Sequence, residues 1–257
     1  VFPGDHRPAA CGTGFGLAAP KYPNEEKETG LSRGTVFDQQ TFPNMRTLLF
    51  TAALTFAQIL SAAEPVRLTL ADFTDTKDAA PSGGWSTESD GTIHLVGAGG
   101  GSLVSKNEYQ NFELVWEWKV APGGNNGIKY WVTKVGGKEW LGIEYQMIDD
   151  QKHPDGMKGG SHTTGSIYDI KEPVKDKAVK PAGEWNTSRI VVQDGKIQHW
   201  LNGSLAAEAD TKSPEWQERI AASKFKNKEG FAPGKGRIML TEHGDETWFR
   251  NIRLTAK

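Results

Sequence analysis

The 257-residue chain contains one cysteine, Cys11. Beyond that position no disulfide, thiol nucleophile or thiolate metal site can form. Excess charge of one sign is missing too: 30 basic and 32 acidic residues leave a net charge of −2. No basic stripe runs along the chain, which argues against a nucleic-acid partner. Long hydrophobic runs are also absent. The uncharged stretch TLLFTAALTFAQIL (residues 47–60) falls short of the about 20 apolar residues that a spanning helix needs.

That stretch has another reading. Met45 and Arg46 precede it and the small residues Ser61, Ala62 and Ala63 follow. A charged start, a short apolar run and a small-residue cleavage site make a secretory signal. The sequence therefore predicts a signal peptide at 45–63, export to a periplasmic or extracellular space, and a mature domain at 64–257. Residues 1–44 are rich in Gly, Pro and charge without a sustained period, and are expected to be a disordered upstream extension with Met45 the natural initiator.

From Val66 onward, short alternating runs are punctuated by Gly, Asn, Asp and Pro. Examples are NFELVWEWKV (111–120), NGIKYWVTKV (126–135), WLGIEYQMID (140–149), GRIMLTEHG (236–244) and WFRNIRLTA (248–256). Their β-branched and aromatic content and period of two predict strands. Asp194-Gly195, between RIVVQ and KIQHW, predicts a two-residue hairpin. Only residues 213–225 look helical, with Ser213 as cap, Pro214 in the first turn, and Trp216, Ile220 and Ala221 on one face. Many short strands and one short helix predict an all-β sandwich. Nine tryptophans are expected mostly in its core, with the others available as sugar-stacking platforms.

In EYQMIDDQKH (144–153), alternation puts Glu144 and Gln146 on one face and Tyr145 and Met147 on the other. Glu144 is either a solvent-facing acid or the occupant of a polar groove. Lys129, His199 and His243 are also polar residues set within or at the end of apolar strands, which favours a groove. Asp149, Asp150 and His153 form either a turn held by side-chain hydrogen bonds or a hard-ligand cluster suited to a divalent metal. His162 lies in the loop GGSHTTG, and Arg250 with Asn251 sits in the last strand; for the arginine, bonding of strand ends or of Asp245 competes with substrate contact.

The segments EYQ-x-x-DD-x-x-H, HWLNG and HGD-x-x-x-FRNI occur here in the order typical of the 3-keto-disaccharide hydrolase family, which the chain resembles over about residues 68–254. The resemblance implies a concanavalin A-like jelly-roll sandwich of two antiparallel sheets with a sugar-binding concave face. It also implies action on glycosides already oxidised to a 3-ketone, and so a functional link to an upstream sugar 3-oxidoreductase. Such chemistry needs a base for the C2 proton, a cation or donor at the ketone oxygen, and an acid for the leaving group. Glu144, His153 and His243 are the candidate catalytic residues; Lys129, Gln146, Asp149, Asp150, His162, His199 and Arg250 are the candidate substrate contacts. Two other readings stay open. One is a conventional sandwich-fold glycosidase, although Gln146 is an amide where a paired acid would stand. The other is a non-catalytic carbohydrate-binding module, since fold alone does not specify function.

Overall fold

A computed structural model of the protein describes residues 64–257. The expected extension at 1–44 and signal at 45–63 lie outside the described residues. Among those described, no helix is long and apolar enough to cross a membrane.

The strands are β1 (Val66–Arg67), β2 (Phe73–Asp75), β3 (Trp85–Thr87), β4 (Ile93–Leu95), β5 (Leu103–Tyr109), β6 (Phe112–Val120) and β7 (Asn125–Val135). They continue with β8 (Glu139–Ile148), β9 (Asn186–Gln193), β10 (Lys196–Leu201), β11 (Ser204–Asp210), β12 (Gly236–Leu240) and β13 (Thr247–Ala256). One sheet runs β11-β10-β9-β6-β13-β4-β3, with β1 also paired to β13. The second runs β2-β5-β12-β7-β8. Every pairing is antiparallel. The expected all-β sandwich of two antiparallel sheets with one short helix is what the chain forms.

Alternation explains how the sheets meet. In β6, Phe112, Leu114, Trp116, Trp118 and Val120 are buried while the residues between them are partly exposed. Their facing partners are Ile143, Tyr145 and Met147 from β8 and Ile128 and Tyr130 from β7. Burying each such side chain contributes about 1.5–3 kcal/mol. A polar thread runs through this core: Trp118 Nε1 donates to Ser188 Oγ (2.8 Å), Ser188 to Tyr145 Oη (2.8 Å), and Tyr145 to the Trp200 carbonyl (3.2 Å). The thread ties both sheets together without leaving those buried donors unpaired.

Asp194 (φ 52°) and Gly195 (φ 91°) make the predicted hairpin between β9 and β10, with Gln193 facing Lys196. Positive φ at both central residues is the type I′ geometry that Asp-Gly favours. The helix α1 (Pro214–Ala222) starts where expected: Ser213 Oγ accepts from the Trp216 N–H at 3.1 Å. Trp216 is buried, whereas Ala221 faces solvent, so the buried stripe is narrower than the sequence suggested. Trp85, Trp116, Trp118, Trp131 and Trp216 are core residues. Trp140, Trp185, Trp200 and Trp248 are partly exposed, but cations already lie over their rings.

Candidate active site

The polar residues collect on the face of the five-stranded sheet turned away from its partner. Lys129 and Glu144 stand directly opposite each other in the β7–β8 register, so their side chains leave the same face side by side. Lys129 Nζ lies 3.6 Å from Glu144 Oε2. Gly127, two residues before Lys129 and on the same face, explains the room for this pair. A Cβ there would fall 2.4 Å from Glu144 Oε1 and 3.0 Å from the Tyr145 carbonyl oxygen. The carboxylate occupies the space of the missing side chain.

His243 reaches the same carboxylate from the turn after β12. The Thr241 N–H donates to the Gly127 carbonyl (3.1 Å), and the Thr241 hydroxyl lies 3.1 Å from Asn126 Oδ1. The strand end is thus pinned beside Gly127, and the chain then turns at Gly244, which has φ 91°. His243 Nε2 comes to rest 3.6 Å from Glu144 Oε1. The two partners differ in access: the Glu144 side chain is 5% exposed and that of His243 is 38%. Burial pushes the Glu144 carboxyl up, but Lys129, His243 and Lys224 outweigh it and hold the group below the ordinary glutamate range. Glu144 is therefore a buried, ionised carboxylate backing an accessible imidazole.

One wall of the site is residues 149–170, which fold back against the open edge of β8. The Tyr168 N–H donates to the Glu144 carbonyl (3.0 Å) and the Gly165 N–H to the Gln146 carbonyl (2.9 Å). This covers an edge that would otherwise present unpaired backbone groups and buries Gln146 on the face of Glu144. Within the wall, Asp155 accepts from the Tyr168 hydroxyl (2.8 Å) and from Lys158 Nζ (2.7 Å). His162 Nδ1 lies 3.1 Å from Asp155 Oδ1, at an angle outside hydrogen-bond geometry, and its Nε2 is 3.7 Å from Asp169. Burial raises the Asp155 carboxyl, yet Lys158, Tyr168 and His162 bring it down to about 2. The Tyr168 phenol is pushed up, by burial first and then by Asp155, so it stays a neutral donor. Lys224, just after α1, packs against this wall: its backbone N–H donates to Asp169 (2.7 Å) and its Nζ sits 4.1 Å from the Tyr168 ring centre.

The remaining candidates take other places. Asp149 is committed to the turn, accepting from the backbone N–H groups of Gly123 (2.8 Å), Gln151 (3.0 Å) and Lys152 (3.2 Å). Asp150 pairs with Lys177 at 2.7 Å and accepts from the Thr164 N–H at 2.8 Å. The Asp155 N–H donates to His153 Nδ1 (3.0 Å), so the ring proton of neutral His153 is on Nε2, 4.0 Å from Asp245. These three residues do not converge as a ligand set; among the described residues no cluster of three or more His, Cys, Asp or Glu is arranged for a metal.

Two expectations need correcting. His199 is fully buried between the sheets, with Nε2 2.9 Å from the Tyr130 hydroxyl and Nδ1 3.1 Å from the Ser166 carbonyl; it is a core residue with no access to a groove. Arg250 lies on the outer face of the other sheet, bonded through Nε and a terminal nitrogen to Glu117 (2.8 and 2.7 Å) and stacked 3.9 Å from the Trp185 ring centre. Asp155, Tyr168 and Lys224 are the site residues that the sequence did not single out. Tyr168 lies in the short segment TGSIYDI (164–170); Lys224 has no local pattern to mark it.

A larger cleft, about 720 Å³, lies elsewhere, beside Trp131, Trp216 and the segment 225–234. Its one carboxylate near the hairpin, Asp194, is held by Asn111 and Gln193, and no histidine lines it. The smaller cavity beside Lys129 and Lys224, about 320 Å³, adjoins the groups with displaced protonation equilibria, which is where catalytic chemistry is expected.

Residues 69–255 match the model of the 3-keto-alpha-glucoside-1,2-lyase-like domain family. A 3-keto-disaccharide hydrolase of Bacteroides thetaiotaomicron is 35% identical, over 69% of this chain and 71% of its own length. Two solved structures from Parabacteroides distasonis, each provisionally described as a glycosyl hydrolase, are also similar. One is 28% identical with a TM-score of 0.67, covering 74% of this chain and 90% of its own. The other is 29% identical with a TM-score of 0.59, covering 76% and 100%.

Proposed function

The chain belongs to the 3-keto-alpha-glucoside-1,2-lyase-like domain family, and from that premise we propose that this enzyme cleaves 3-keto-glycosides by removal of the C2 proton, elimination and hydration. The observation that carries the reading is the Glu144–His243 pair, a buried carboxylate behind an exposed imidazole, beside two lysines.

The chemistry balances without a redox step. A base takes the proton from C2, and the C2–H electron pair forms the C2=C3 double bond while negative charge moves to the C3 oxygen. The enediolate then collapses to C3=O, forming C1=C2 and releasing the C1 substituent, whose oxygen takes up a proton. Addition of water across C1=C2 places hydroxyl on C1 and hydrogen on C2. His243 is the accessible group for the proton transfer, and imidazole is the side chain most often used for it. Glu144 stabilises the imidazolium and orients the ring, as a buried carboxylate does behind a catalytic histidine. Tyr168, kept neutral, supplies an O–H within the same wall. We extend the proposal to an exported enzyme on the strength of the 45–63 signal pattern, and to a substrate supplied by oxidation of the sugar's C3 hydroxyl.

A conventional glycosidase would need paired carboxylates about 5–5.5 Å apart for retention, and both oxygens of Asp149 are already engaged by backbone N–H groups. The test compares a 3-keto-glucoside with its unoxidised parent. Release of the aglycone from the ketone alone is expected. Cleavage of the parent at a similar rate would support the conventional hydrolase, and binding of both without turnover the binding module.

A further inference from the structure

Lys129 and Lys224 line the same cavity beside Glu144, together with Leu141, Phe225, Glu139 and Lys228. Its volume, about 320 Å³, reaches the lower end of the range for small-molecule sites, about 300–1,000 Å³. Three lysines enter it, but they are not equivalent. Lys129 is paired with Glu144, and Lys228 with Glu139. Among the described residues, no carboxylate forms an ion pair with Lys224.

Its position is nevertheless fixed. The backbone N–H is anchored on Asp169, and the ammonium lies over the face of Tyr168, a placement that the ring quadrupole favours. Burial pulls the ammonium below the ordinary lysine range, opposed first by Glu144. Lys224 is thus a localised cation that Glu144, Asp169 and Asp155 attract from a distance, none of them forming an ion pair with it. A negative charge that appears only during reaction would gain most from it.

We propose that Lys224 is a catalytic residue that stabilises the negative charge developing on the C3 oxygen when the C2 proton is removed. The assignment rests on the 3-keto-glycoside reading. Lys129, held by Glu144, orients the substrate on the other side of the cavity.

The experiment measures kcat and KM on a 3-keto-glucoside, and hydrogen–deuterium exchange at C2 in D₂O, for the wild type, Lys224→Met and Lys224→Arg. Removing one oxyanion-stabilising group typically lowers kcat about 10²–10³-fold. Lys224→Met is expected to show a loss of that order in both kcat and C2 exchange, with KM changed less than about threefold, and Lys224→Arg to recover at least about tenfold of it. Circular dichroism checks that each variant is folded; the side chain is exposed enough for substitution. Lys224→Met with wild-type kcat, a change confined to KM, or an Arg variant as impaired as the Met variant would each overturn the assignment. A wild type that turns over no 3-keto-glucoside would instead overturn the reading beneath it.

Discussion

Glu144→Gln lowers turnover of a 3-keto-glycoside by about 10²–10⁴-fold, the range over which a positioned acid–base system contributes. The amide keeps the shape of the side chain but removes the charge that faces Lys129 and His243, each at 3.6 Å. Two consequences follow. The imidazolium formed by proton transfer loses its counter-charge, and Lys129 loses the partner that sets its direction. The loss is expected in kcat more than in KM, because the carboxylate is 5% exposed and acts through His243. Steady-state kinetics on the folded variant check this. Leaving Lys129 without its partner also lowers stability by about 1–3 kcal/mol, so the folded fraction is measured in parallel by urea unfolding. Wild-type turnover in the variant would remove Glu144 from the mechanism.

The second large effect is on stability and concerns acid pH. Burial moves the His199 imidazole from 6.5 down to about 4, against the pull of the Gly165 and Ser166 carbonyls. Below pH 6.5 the unfolded chain therefore takes up a proton at this residue that the folded protein does not accept until about pH 4. Stability falls as pH drops through that window and the loss is complete below it. Two and a half pH units correspond to about 3 kcal/mol. His199→Gln removes this component: the stability advantage of wild type over the variant shrinks by about that amount between pH 7 and pH 4. Urea unfolding across the range reads it directly. Asp155, brought down to about 2, acts in a lower window, its contribution present above the ordinary aspartate range and lost as pH falls toward 2. An advantage of wild type over His199→Gln that stays constant from pH 7 to pH 4 would contradict the assigned state of His199.

His199 also illustrates what alternation can and cannot deliver. In KIQHWL, Ile197, His199 and Leu201 share a parity, and all three are buried. A histidine on the apolar face of a strand was therefore readable as a core residue, and its polarity alone suggested a groove. Glu144 was readable by the same rule, because Tyr145 and Met147 mark the core side of β8. Arg250 was not, since parity places it opposite Phe249 but gives no information about which sheet β13 joins. The core strands β6–β10 and β13 announce themselves by alternating β-branched and aromatic residues. β11, reading SLAAEAD, does not, because Ala, Glu and Asp are poor strand formers and its pairing with β10 decides the outcome. Lys224, Asp155 and Tyr168 come from loops and a helix end. Their meeting depends on how residues 149–170 cover the edge of β8, a long-range contact that no local pattern encodes.

Breaking of the C2–H bond separates this chemistry from ordinary glycoside hydrolysis. The most direct measurement is the rate on a 3-keto-glucoside carrying deuterium at C2, compared with the unlabelled substrate under single-turnover conditions. Slower aglycone release from the labelled compound, together with solvent hydrogen at C2 of the product, is predicted. Equal rates with the deuterium retained would contradict proton abstraction at C2 and with it the roles given to Glu144, His243 and Lys224.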